Sequence, residues 1–258
     1  MSPRFLPLKI FVANSLSCPF VGRLIARVYG DKIPHRGCIF DTKNEAVTPS
    51  VKASLFWGLY ENAELRFVRR FLRPDLDVVE LGSSLGVLSS HIARKLDPSR
   101  RMLCLEANPL LIESIRVNLA RNAPQIRATV VHAALDYSTE GQGGVEFAVD
   151  RNSLHSKTSD RPGLTGAVCV PAVTLSRLLS DNGVGEYALV SDIEGAEAGM
   201  VCNEKEALAR CRQMIIELHS VNCAGTYISI EAMSEALQKD HGFVLRDHYG
   251  AVFVFERP

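Results

Sequence analysis

The sequence predicts an α/β fold in which a doubly wound, mostly parallel sheet is covered by helices on both faces. From residue 74 onward, short apolar runs alternate with helical stretches, an order typical of successive βαβ units. The last two apolar runs flank a turn, which indicates that the sheet ends in an antiparallel hairpin. A length of 258 residues, 47% of them hydrophobic, fits one principal domain with an elaboration.

Residues 1–73 are predicted to form a partly helical N-terminal segment, or cap, that precedes the sheet. Prolines interrupt the apolar groups of residues 1–50, although residues 20–29 have the apolar spacing of a helix. Across residues 50–72 apolar side chains recur every four positions, which predicts a helical stretch that Pro74 ends.

Residues 74–258 are predicted to form a cofactor-binding domain built on a seven-stranded sheet. The predicted strands are residues 78–81, 102–105, 129–131, 187–191, 214–218, 243–245 and 252–255. The predicted helices are residues 85–96, 110–120 and 228–239, and residues 196–211 are also compatible with helix. Between the third and fourth strands, residues 139–171 form a polar insertion rich in Gly, Ser and Asp, in which residues 145–149 have the composition of a further strand.

Composition and charge argue against several classes of function. Lys+Arg and Asp+Glu both total 29, so the chain has no net positive charge that would favour binding to nucleic acid or to an anionic membrane. No apolar stretch approaches the roughly 18 residues of a membrane span, and the apolar run after Lys9 is too short for a secretory signal. Seven scattered cysteines without C-x-x-C spacing fit reduced thiols. We therefore expect a cytoplasmic protein without nucleic-acid partners, and leave open whether it is a monomer or a homodimer.

A glycine-containing turn follows the first predicted strand, at the sheet edge where α/β proteins bind nucleotides. Residues 80–86 read ELGSSLG. A dinucleotide site needs Gly-x-Gly-x-x-Gly, but Ser84 and Val87 occupy the second and third glycine positions. An S-adenosylmethionine site has no pyrophosphate to bind and instead needs an acidic residue just before the first glycine, where Glu80 stands. The turn therefore favours S-adenosylmethionine over a dinucleotide.

A second acidic residue ends the second predicted strand. Glu106 is placed where a carboxylate can accept hydrogen bonds from both hydroxyls of a ribose. An acid at this position serves NAD equally well, so Glu106 alone does not decide between the two cofactors. An NAD-dependent oxidoreductase stays open as the alternative.

Six segments of the chain resemble the FkbM family of S-adenosylmethionine-dependent methyltransferases. They are residues 57–61 (WGLYE), 79–86 (VELGSSLG), 105–109 (LEANP), Asn118 with Asn122, 173–175 (VTL) and 191–197 (SDIEGAE). The last segment is the most specific, because an Asp-hydrophobic-Glu-Gly-Ala-Glu run after the fourth strand is that family's hallmark. The chain departs from the family at residues 80–84, where relatives usually have Asp-Ile-Gly-Ala-Asn, and at Val190, where relatives often have lysine.

The resemblance implies a class I methyltransferase (Rossmann-like) fold, S-adenosylmethionine as cofactor and S-adenosylhomocysteine as product. It implies O-methylation of a hydroxyl on a small molecule such as a sugar or natural product. The residues it assigns to cofactor binding are Tyr60, Glu61, Glu80, Gly82, Ser84, Gly86, Glu106, Ala107 and Asp192. A protein that binds the cofactor without turnover is a further alternative, because the family's lysine is absent.

The candidate catalytic residues follow the fourth and fifth strands. Asp192 is predicted either to contact the cofactor or to act as the base that deprotonates the acceptor, and its alternative role is the N-cap of the next helix. His219 is a second candidate base, since a histidine can accept a proton near neutral pH, and its alternative is a partly buried structural histidine. Glu194 and Glu197 are predicted to be structural.

Two further groups of polar residues are candidates for the site. Asp192, Glu217 and His219 would meet at adjacent strand ends and could hold a divalent cation, but they have no ligand spacing, so no metal site is predicted. The insertion residues Asn152, Ser153 and His155 form a candidate substrate lid, with an ordinary surface loop as the alternative.

Overall fold

The computed structural model describes residues 16–137, 144–148, 157–158, 167–223 and 226–258. Its helices are α1 (Pro19–Tyr29), α2 (Pro49–Phe56), α3 (Asn62–Phe71), α4 (Val87–Lys95), α5 (Ile112–Asn122), α6 (Leu175–Asp181), α7 (Glu197–Asn203), α8 (Lys205–Ala209) and α9 (Ile230–Lys239). Its strands are β1 (Lys32–His35), β2 (Cys38–Asp41), β3 (Asp77–Leu81), β4 (Arg101–Glu106), β5 (Arg127–His132), β6 (Ala134–Leu135), β7 (Val145–Ala148), β8 (Lys157–Thr158), β9 (Ala167–Val170), β10 (Ala172–Val173), β11 (Tyr187–Ser191), β12 (Cys211–Glu217), β13 (Val221–Cys223), β14 (Thr226–Ile228), β15 (Val244–Tyr249) and β16 (Val252–Glu256). Among the described helices, none has the length and apolar character needed to cross a membrane.

The main sheet has the strand order β15-β16-β12-β11-β3-β4-β5. Neighbouring strands from β12 to β5 are parallel, whereas β16 is antiparallel to both β12 and β15. These are the seven strands that the sequence predicts, so the doubly wound, mostly parallel sheet ending in an antiparallel hairpin is confirmed. The order is that of the class I methyltransferase (Rossmann-like) fold.

Buried side chains alternate between the two faces of the main sheet, and helices cover each face. Val78 and Val190 pack on one face together with side chains of α3, α4 and α5. Val79 and Leu189 pack on the other face against α6, α7, α8 and α9. Because β3, β4, β11 and β12 are largely buried on both faces, most of their residues are apolar, which explains why the sequence pattern could identify them.

The order of the strands reverses between β3 and β11. The chain passes from β3 outward to β4 and β5 on one side, and later to β11 and β12 on the other. In open α/β sheets, ligands bind beyond the carboxyl ends of the strands at such a reversal. Gly82 follows β3, Glu106 ends β4 and Asp192 follows β11. The fold therefore brings three predicted site residues to one edge of the sheet.

The helical stretch predicted over residues 50–72 is divided into two helices, α2 and α3. The break falls at residues 57–61, where Gly58 and Glu61 have left-handed φ values of 69° and 47°. A right-handed helix cannot continue through left-handed residues, yet the apolar period continues because both helices pack on the same core. Residues 196–211 are likewise divided, into α7 and α8.

A hairpin that the sequence analysis did not predict, formed by β1 and β2, lies between α1 and α2. Its turn, residues 36–37, has positive φ at both positions, 46° and 84°. Two left-handed residues in succession are typical of the turns that join tight hairpins. The Arg-Gly pair at residues 36–37 is the part of the sequence that indicates this turn.

Two asparagines of α5 attach this hairpin to the sheet. Asn118 is fully buried; its side chain accepts a hydrogen bond from the Asp41 amide and donates to the carbonyls of Asp41 and Leu85. Asn122 makes the same reciprocal pair with the backbone of Ile39. Side chains of the N-terminal segment and of the sheet share one buried core, and the division of the chain at residue 73 stays a prediction.

The structure describes only part of the polar insertion. There, β7 pairs antiparallel with β8 and β9, so the strand expected at residues 145–149 is confirmed as Val145–Ala148. The candidate lid residues Asn152, Ser153 and His155 lie outside the described residues.

Candidate functional site

A cleft of about 530 Å³ lies at the carboxyl edge of the main sheet, where the strand order reverses. It is lined by residues 59–64 at the junction of α2 and α3, by the turn after β3, by the end of β4 with residues 133–135, and by the loop after β11. This volume is within the range of small-molecule sites. The cleft is therefore the candidate active site.

Most of the residues predicted to bind a cofactor line this cleft: Tyr60, Glu61, Gly82, Ser84, Glu106, Ala107 and Asp192. Glu80 is buried and lines a smaller adjoining hollow together with Gly82 and Asp192. Gly86 caps the N-terminus of α4 rather than lining the cleft, and His219 lies next to Asp192. The binding role of each residue stays a prediction.

Two backbone amides fix the carboxylate of Glu106. Its Oε2 accepts a hydrogen bond from the Ser84 amide, and its Oε1 accepts one from the Asn108 amide, both at 2.7 Å. Glu106 is 7% exposed, and burial raises the pKa of its carboxyl group. Because a carboxylate has about four lone-pair positions, the backbone amides leave room for a ligand. Glu106 therefore offers oriented hydrogen-bond acceptors at the wall of the cleft.

The two glycines of the turn allow close packing of backbone. A Cβ at Gly82 would lie 1.9 Å from the backbone oxygen of Asp192, so only glycine lets the turn after β3 contact the loop after β11. A Cβ at Gly86 would lie 3.1 Å from Ile115 Cα in α5. Both residues also have left-handed φ values, 83° and 78°, which favour glycine. Gly82 thereby sets the position of Asp192.

The break between α2 and α3 brings Tyr60 and Glu61 against the turn after β3. The hydroxyls of Tyr60 and Ser84 form a hydrogen bond of 2.9 Å. The Oε2 atom of Glu61 accepts a hydrogen bond of 3.1 Å from the Leu88 amide in the first turn of α4, where a helix favours negative charge. Burial raises the pKa of Glu61 well above its ordinary value. These contacts hold one wall of the cleft together.

Glu80 is a buried carboxyl group with one unused oxygen. Glu80 is 2% exposed, and its Oε2 accepts a hydrogen bond from the Ser89 hydroxyl. Its Oε1 has no hydrogen-bond partner among the residues that the structure describes. Burial raises the pKa of Glu80 to about 7. A cationic group in the adjoining hollow would stabilise the ionised form of this carboxyl group.

His219 lies among four carboxyl groups. Its Nδ1 is 3.3 Å from Glu197 Oε1, and its Nε2 is 3.8 Å to 3.9 Å from oxygens of Asp192, Glu194 and Glu217. The hydrogen bond to Glu197, helped by the neighbouring negative charges, raises the pKa of His219 to about 9. At pH 7 the imidazole therefore carries a proton and is not free to accept another.

Glu197 supports the loop after β11 from within the core. It is fully buried, and its two oxygens accept hydrogen bonds from the amides of Ile193 at 2.9 Å and Gly195 at 2.7 Å. These contacts agree with the structural role predicted for Glu197. The alternative role of Asp192 as a helix cap is wrong, because Ala196 occupies the N-cap position of α7.

Two carboxyl groups that face the cleft have raised pKa values. Burial raises the pKa of Asp192 to about 6, even though the positive charge of His219 acts in the opposite direction. Burial, the charge of Asp192 and the neighbouring carboxyl group of Glu64 raise the pKa of Glu217 to about 8. Perturbed titratable groups gathered in a cleft are typical of functional sites.

The same cluster offers ligand atoms for a cation. One atom each from Asp192, Glu197 and His219 lies within 4.8 Å of the other two. The sequence has no ligand spacing for these residues, and no metal site is predicted from it. The fold brings them together because β11 and β12 are parallel neighbours whose carboxyl ends meet at one edge.

Several residues of the cleft are not predicted from the sequence, and Glu64 is the most informative of them. Glu64 is 9% exposed and lines the cleft with Glu217. It precedes Phe67 by three positions in α3, so a carboxyl group interrupts the apolar face of that helix, and this was the available signal. Tyr249, the last residue of β15, also lines the cleft, and no local sequence pattern predicts this position.

No family model matches the chain, so the resemblance to the FkbM family stays a prediction. The chain is 36% identical over 114 residues to a curated relative, the ribosomal protein L11 methyltransferase of Thermosipho africanus (strain TCF52B). The match covers 43% of this chain and 41% of that protein, so it spans about two fifths of the relative's length.

Several solved structures have a similar arrangement over most of the chain. A precorrin-6y C5,15-methyltransferase from Geobacter metallireducens GS-15 is 16% identical, with 74% of this chain and 83% of that chain covered and a TM-score of 0.40. A ribosomal protein L11 methylase from Lactobacillus delbrueckii subsp. bulgaricus is 11% identical, with 78% and 80% covered and a TM-score of 0.43. At these identities and TM-scores, neither likeness bears on the activity of this chain.

Proposed function

We propose that this chain is an S-adenosylmethionine-dependent methyltransferase. One observation carries the proposal: in a cleft at the reversal of the strand order, Glu106 presents an oriented carboxylate and is hydrogen-bonded to the Ser84 amide of a turn that lacks the glycines of a dinucleotide site. A carboxylate at the end of the second strand is suited to accept the hydroxyls of an adenosyl ribose. The partial match to the methyltransferase of Thermosipho africanus adds support.

The turn after β3 favours S-adenosylmethionine over NAD. Ser84 and Val87 stand where a dinucleotide site has its second and third glycines. The Ser84 amide already donates to Glu106, so it is not free to bind a phosphate. An NAD-dependent oxidoreductase is therefore the weaker alternative.

The residues of the cleft fit a cationic ligand. S-adenosylmethionine has an ammonium group and a sulfonium, and the hollow beside the cleft is lined by Glu61, Glu80 and Asp192. Glu80 lines this hollow, and its Oε1 is a buried acceptor without a hydrogen-bond partner among the described residues. A buried acceptor without a partner costs free energy that a cationic donor would recover. Glu80 would hold the ammonium end, and Glu106 the ribose.

When bound, S-adenosylmethionine supplies a methyl group already activated on a sulfonium. The protein has to orient the acceptor and keep water out. An acceptor hydroxyl also loses a proton as the new C–O bond forms and the C–S bond breaks. With a pKa of about 6, Asp192 is mostly ionised at pH 7 and is the better candidate to take that proton. His219, already protonated, would stabilise the Asp192 carboxylate.

The proposed acceptor is a hydroxyl of a small molecule such as a sugar or natural product, as the resemblance to the FkbM family implies. The size of the cleft and the zero net charge of the chain support a small neutral acceptor. A protein acceptor is the second candidate, because the matching relative is named for a ribosomal protein.

The proposal is tested by transfer of a labelled methyl group. Purified protein and trideuteromethyl S-adenosylmethionine are incubated with host extract separated into small-molecule, protein and RNA fractions. We expect a mass increase of 17 units in the small-molecule fraction, since one CD₃ group replaces one hydrogen, and no label in RNA. Label in protein would favour the second acceptor class.

Asp192→Asn is the matched variant for this assay, because it keeps the size of the side chain and removes its charge. We expect it to lose transfer by about 10²- to 10⁴-fold, the usual contribution of a positioned base. Absence of label in every fraction, together with normal binding of S-adenosylmethionine, would instead support a binding protein without turnover.

A further inference from the structure

We propose that the outer face of α1 binds the surface of an anionic lipid bilayer. Three exposed apolar side chains of the helix lie among the lipids in the bound state, and two arginines contact the headgroup phosphates. This interaction goes beyond the proposed function and is independent of it, since α1 does not line the cleft.

The inner face of α1 fixes the helix on the rest of the fold. Ile25 is buried in the same core as side chains of α2, and Gly22 lies against the start of α2. A Cβ at Gly22 would lie 1.6 Å from the Pro49 carbonyl oxygen, so the two helices touch through their backbones. The opposite face of α1 is therefore held toward solvent.

The outer face of α1 has a stripe of apolar side chains exposed to solvent. Phe20, Leu24 and Val28 are spaced four residues apart, so they lie along one side of the helix. Their exposed fractions are 69%, 54% and 69%. The apolar side of a helix is normally buried, so this stripe indicates a contact with a membrane or with another protein.

Further exposed apolar side chains lie in the same part of the chain. Of the eleven large hydrophobic side chains that are exposed among the described residues, seven belong to residues 20–59. One of them is Trp57, whose Nε1 donates a hydrogen bond of 3.1 Å to the carbonyl of Leu16, just before α1. Trp57 therefore lies at the N-terminal end of α1. Tryptophan is enriched where proteins meet the surface of a membrane, because its ring is apolar and its N–H is polar.

The charges beside the stripe favour an anionic partner. Arg23 and Arg27 each follow a residue of the stripe by three positions, which places them at its border. Both are exposed, and neither pairs with a carboxylate within the described part of the chain. Residues 1–30 contain four arginines or lysines, whereas all 29 acidic residues lie later in the sequence. The chain as a whole is neutral, but this end of it is basic.

An apolar stripe bordered by arginines fits a lipid surface better than other partners. Interfacial helices place aromatic and aliphatic side chains at the acyl boundary and basic side chains at the headgroups. Nucleic acid is bound mainly through its phosphates and would leave Leu24 and Val28 without an apolar partner. A symmetric dimer through this face would bring the arginines of one copy against those of the other.

The test is binding of the full chain to lipid vesicles, measured by co-sedimentation and by the fluorescence of Trp57, the single tryptophan of the sequence. Vesicles of phosphatidylcholine are compared with vesicles that also contain about 30% phosphatidylserine, at low ionic strength. We expect binding to the anionic vesicles, a blue shift of the Trp57 emission and quenching of that emission by brominated lipids. Added salt should weaken the binding. These signals come from the wild-type protein, so they do not depend on the folding of a variant.

Variants then assign the contact to α1. The double variant Arg23→Gln, Arg27→Gln should weaken binding to the anionic vesicles by about 25-fold, since each arginine at such a surface contributes about fivefold. Leu24→Ser should weaken it by at least about tenfold, because an inserted leucine is lost. Tyr227→Ser and Arg116→Gln are the matched controls. They replace an exposed aromatic residue of β14 and an exposed arginine of α5, and should leave vesicle binding unchanged.

The proposal is overturned if the wild-type protein does not bind the anionic vesicles, or if it binds both kinds of vesicle equally. Binding that leaves the Trp57 emission unchanged would assign the lipid contact to another surface and would also overturn it. A dimer in sedimentation velocity that Leu24→Ser dissociates, without vesicle binding, would mean that a second copy covers the stripe. None of these measurements involves methyl transfer, so failure of this proposal and failure of the proposed function are distinguishable.

Discussion

Replacement of Glu80 by glutamine should change how the stability of the protein depends on pH. Burial raises the pKa of Glu80 from its ordinary value of 4.5 to about 7. Because the folded value lies above the unfolded value, the folded protein binds this proton more tightly than the unfolded chain does. The resulting contribution to stability is complete below pH 4.5 and is lost as the pH rises to 7.

The magnitude follows from the size of the shift. A difference of 2.5 between the two pKa values corresponds to about 3 kcal/mol, at about 1.4 kcal/mol for each unit. Glutamine keeps the shape of the side chain and does not ionise. The stability of the variant therefore does not fall through ionisation at position 80 as the pH rises. Between pH 4.5 and pH 7, the stability of the wild-type protein should therefore fall by about 3 kcal/mol relative to Glu80→Gln.

The assay is urea unfolding followed by circular dichroism, for both proteins at several pH values from 4.5 to 7.5. Other groups titrate in both proteins, so the difference between them isolates Glu80. Glu231→Gln is the control, because backbone hydrogen bonding lowers the pKa of this exposed carboxyl group. The free energy of unfolding of the wild-type protein relative to this variant should therefore rise with pH, the opposite of the trend expected for Glu80→Gln. A stability difference between wild type and Glu80→Gln that stays constant across the range would refute the reasoning.

Three further substitutions test other parts of the site and its support. Glu106→Ala should weaken binding of S-adenosylmethionine by about 1.5–3 kcal/mol in a calorimetric titration, because a charge-assisted pair of hydrogen bonds is lost. Unchanged affinity would mean that Glu106 does not bind the ribose. Gly82→Ala should lower the free energy of unfolding by at least about 2 kcal/mol, since the new Cβ would lie 1.9 Å from the Asp192 carbonyl oxygen; an unchanged urea midpoint would contradict that contact. Asn118→Ala should cost about 1–3 kcal/mol in the same assay, because the backbone groups of Asp41 lose their partners in a buried site; unaltered unfolding would mean that those groups find other partners.

The main sheet could be predicted from the sequence because its inner strands β3, β4, β11 and β12 are largely buried on both faces. Val78 and Val79 belong to opposite cores, so both consecutive positions must be apolar. The edge of the sheet that carries the cleft could be predicted for the same reason. Once β3, β4 and β11 are parallel neighbours, Gly82, Glu106 and Asp192 must meet at their carboxyl ends.

The junction between α2 and α3 could not be predicted, because its cause lies elsewhere in the chain. Glu61 has a left-handed backbone, and its side chain accepts a hydrogen bond from Leu88 in α4. The apolar period alone continues through this junction and therefore predicts uninterrupted helix. The contacts of Glu64 with the cleft, and the anchoring of β2 by Asn118, likewise depend on tertiary neighbours.

The cluster around His219 was predicted only in part for a related reason. Asp192, Glu217 and His219 lie at the carboxyl ends of the neighbouring strands β11 and β12, so their proximity could be inferred from the fold. The imidazole orientation could not be inferred, because it depends on a hydrogen bond to Glu197. Its pKa of about 9 follows from that contact and from charges that the loop after β11 brings close to it.

The central claim is that the cleft binds S-adenosylmethionine through Glu106. The most direct test is a calorimetric titration of the wild-type chain with S-adenosylmethionine and, separately, with NAD. We predict saturable binding of one S-adenosylmethionine per chain and no binding of NAD at the same concentrations. Binding of NAD without any heat from S-adenosylmethionine would contradict the account and support an oxidoreductase instead.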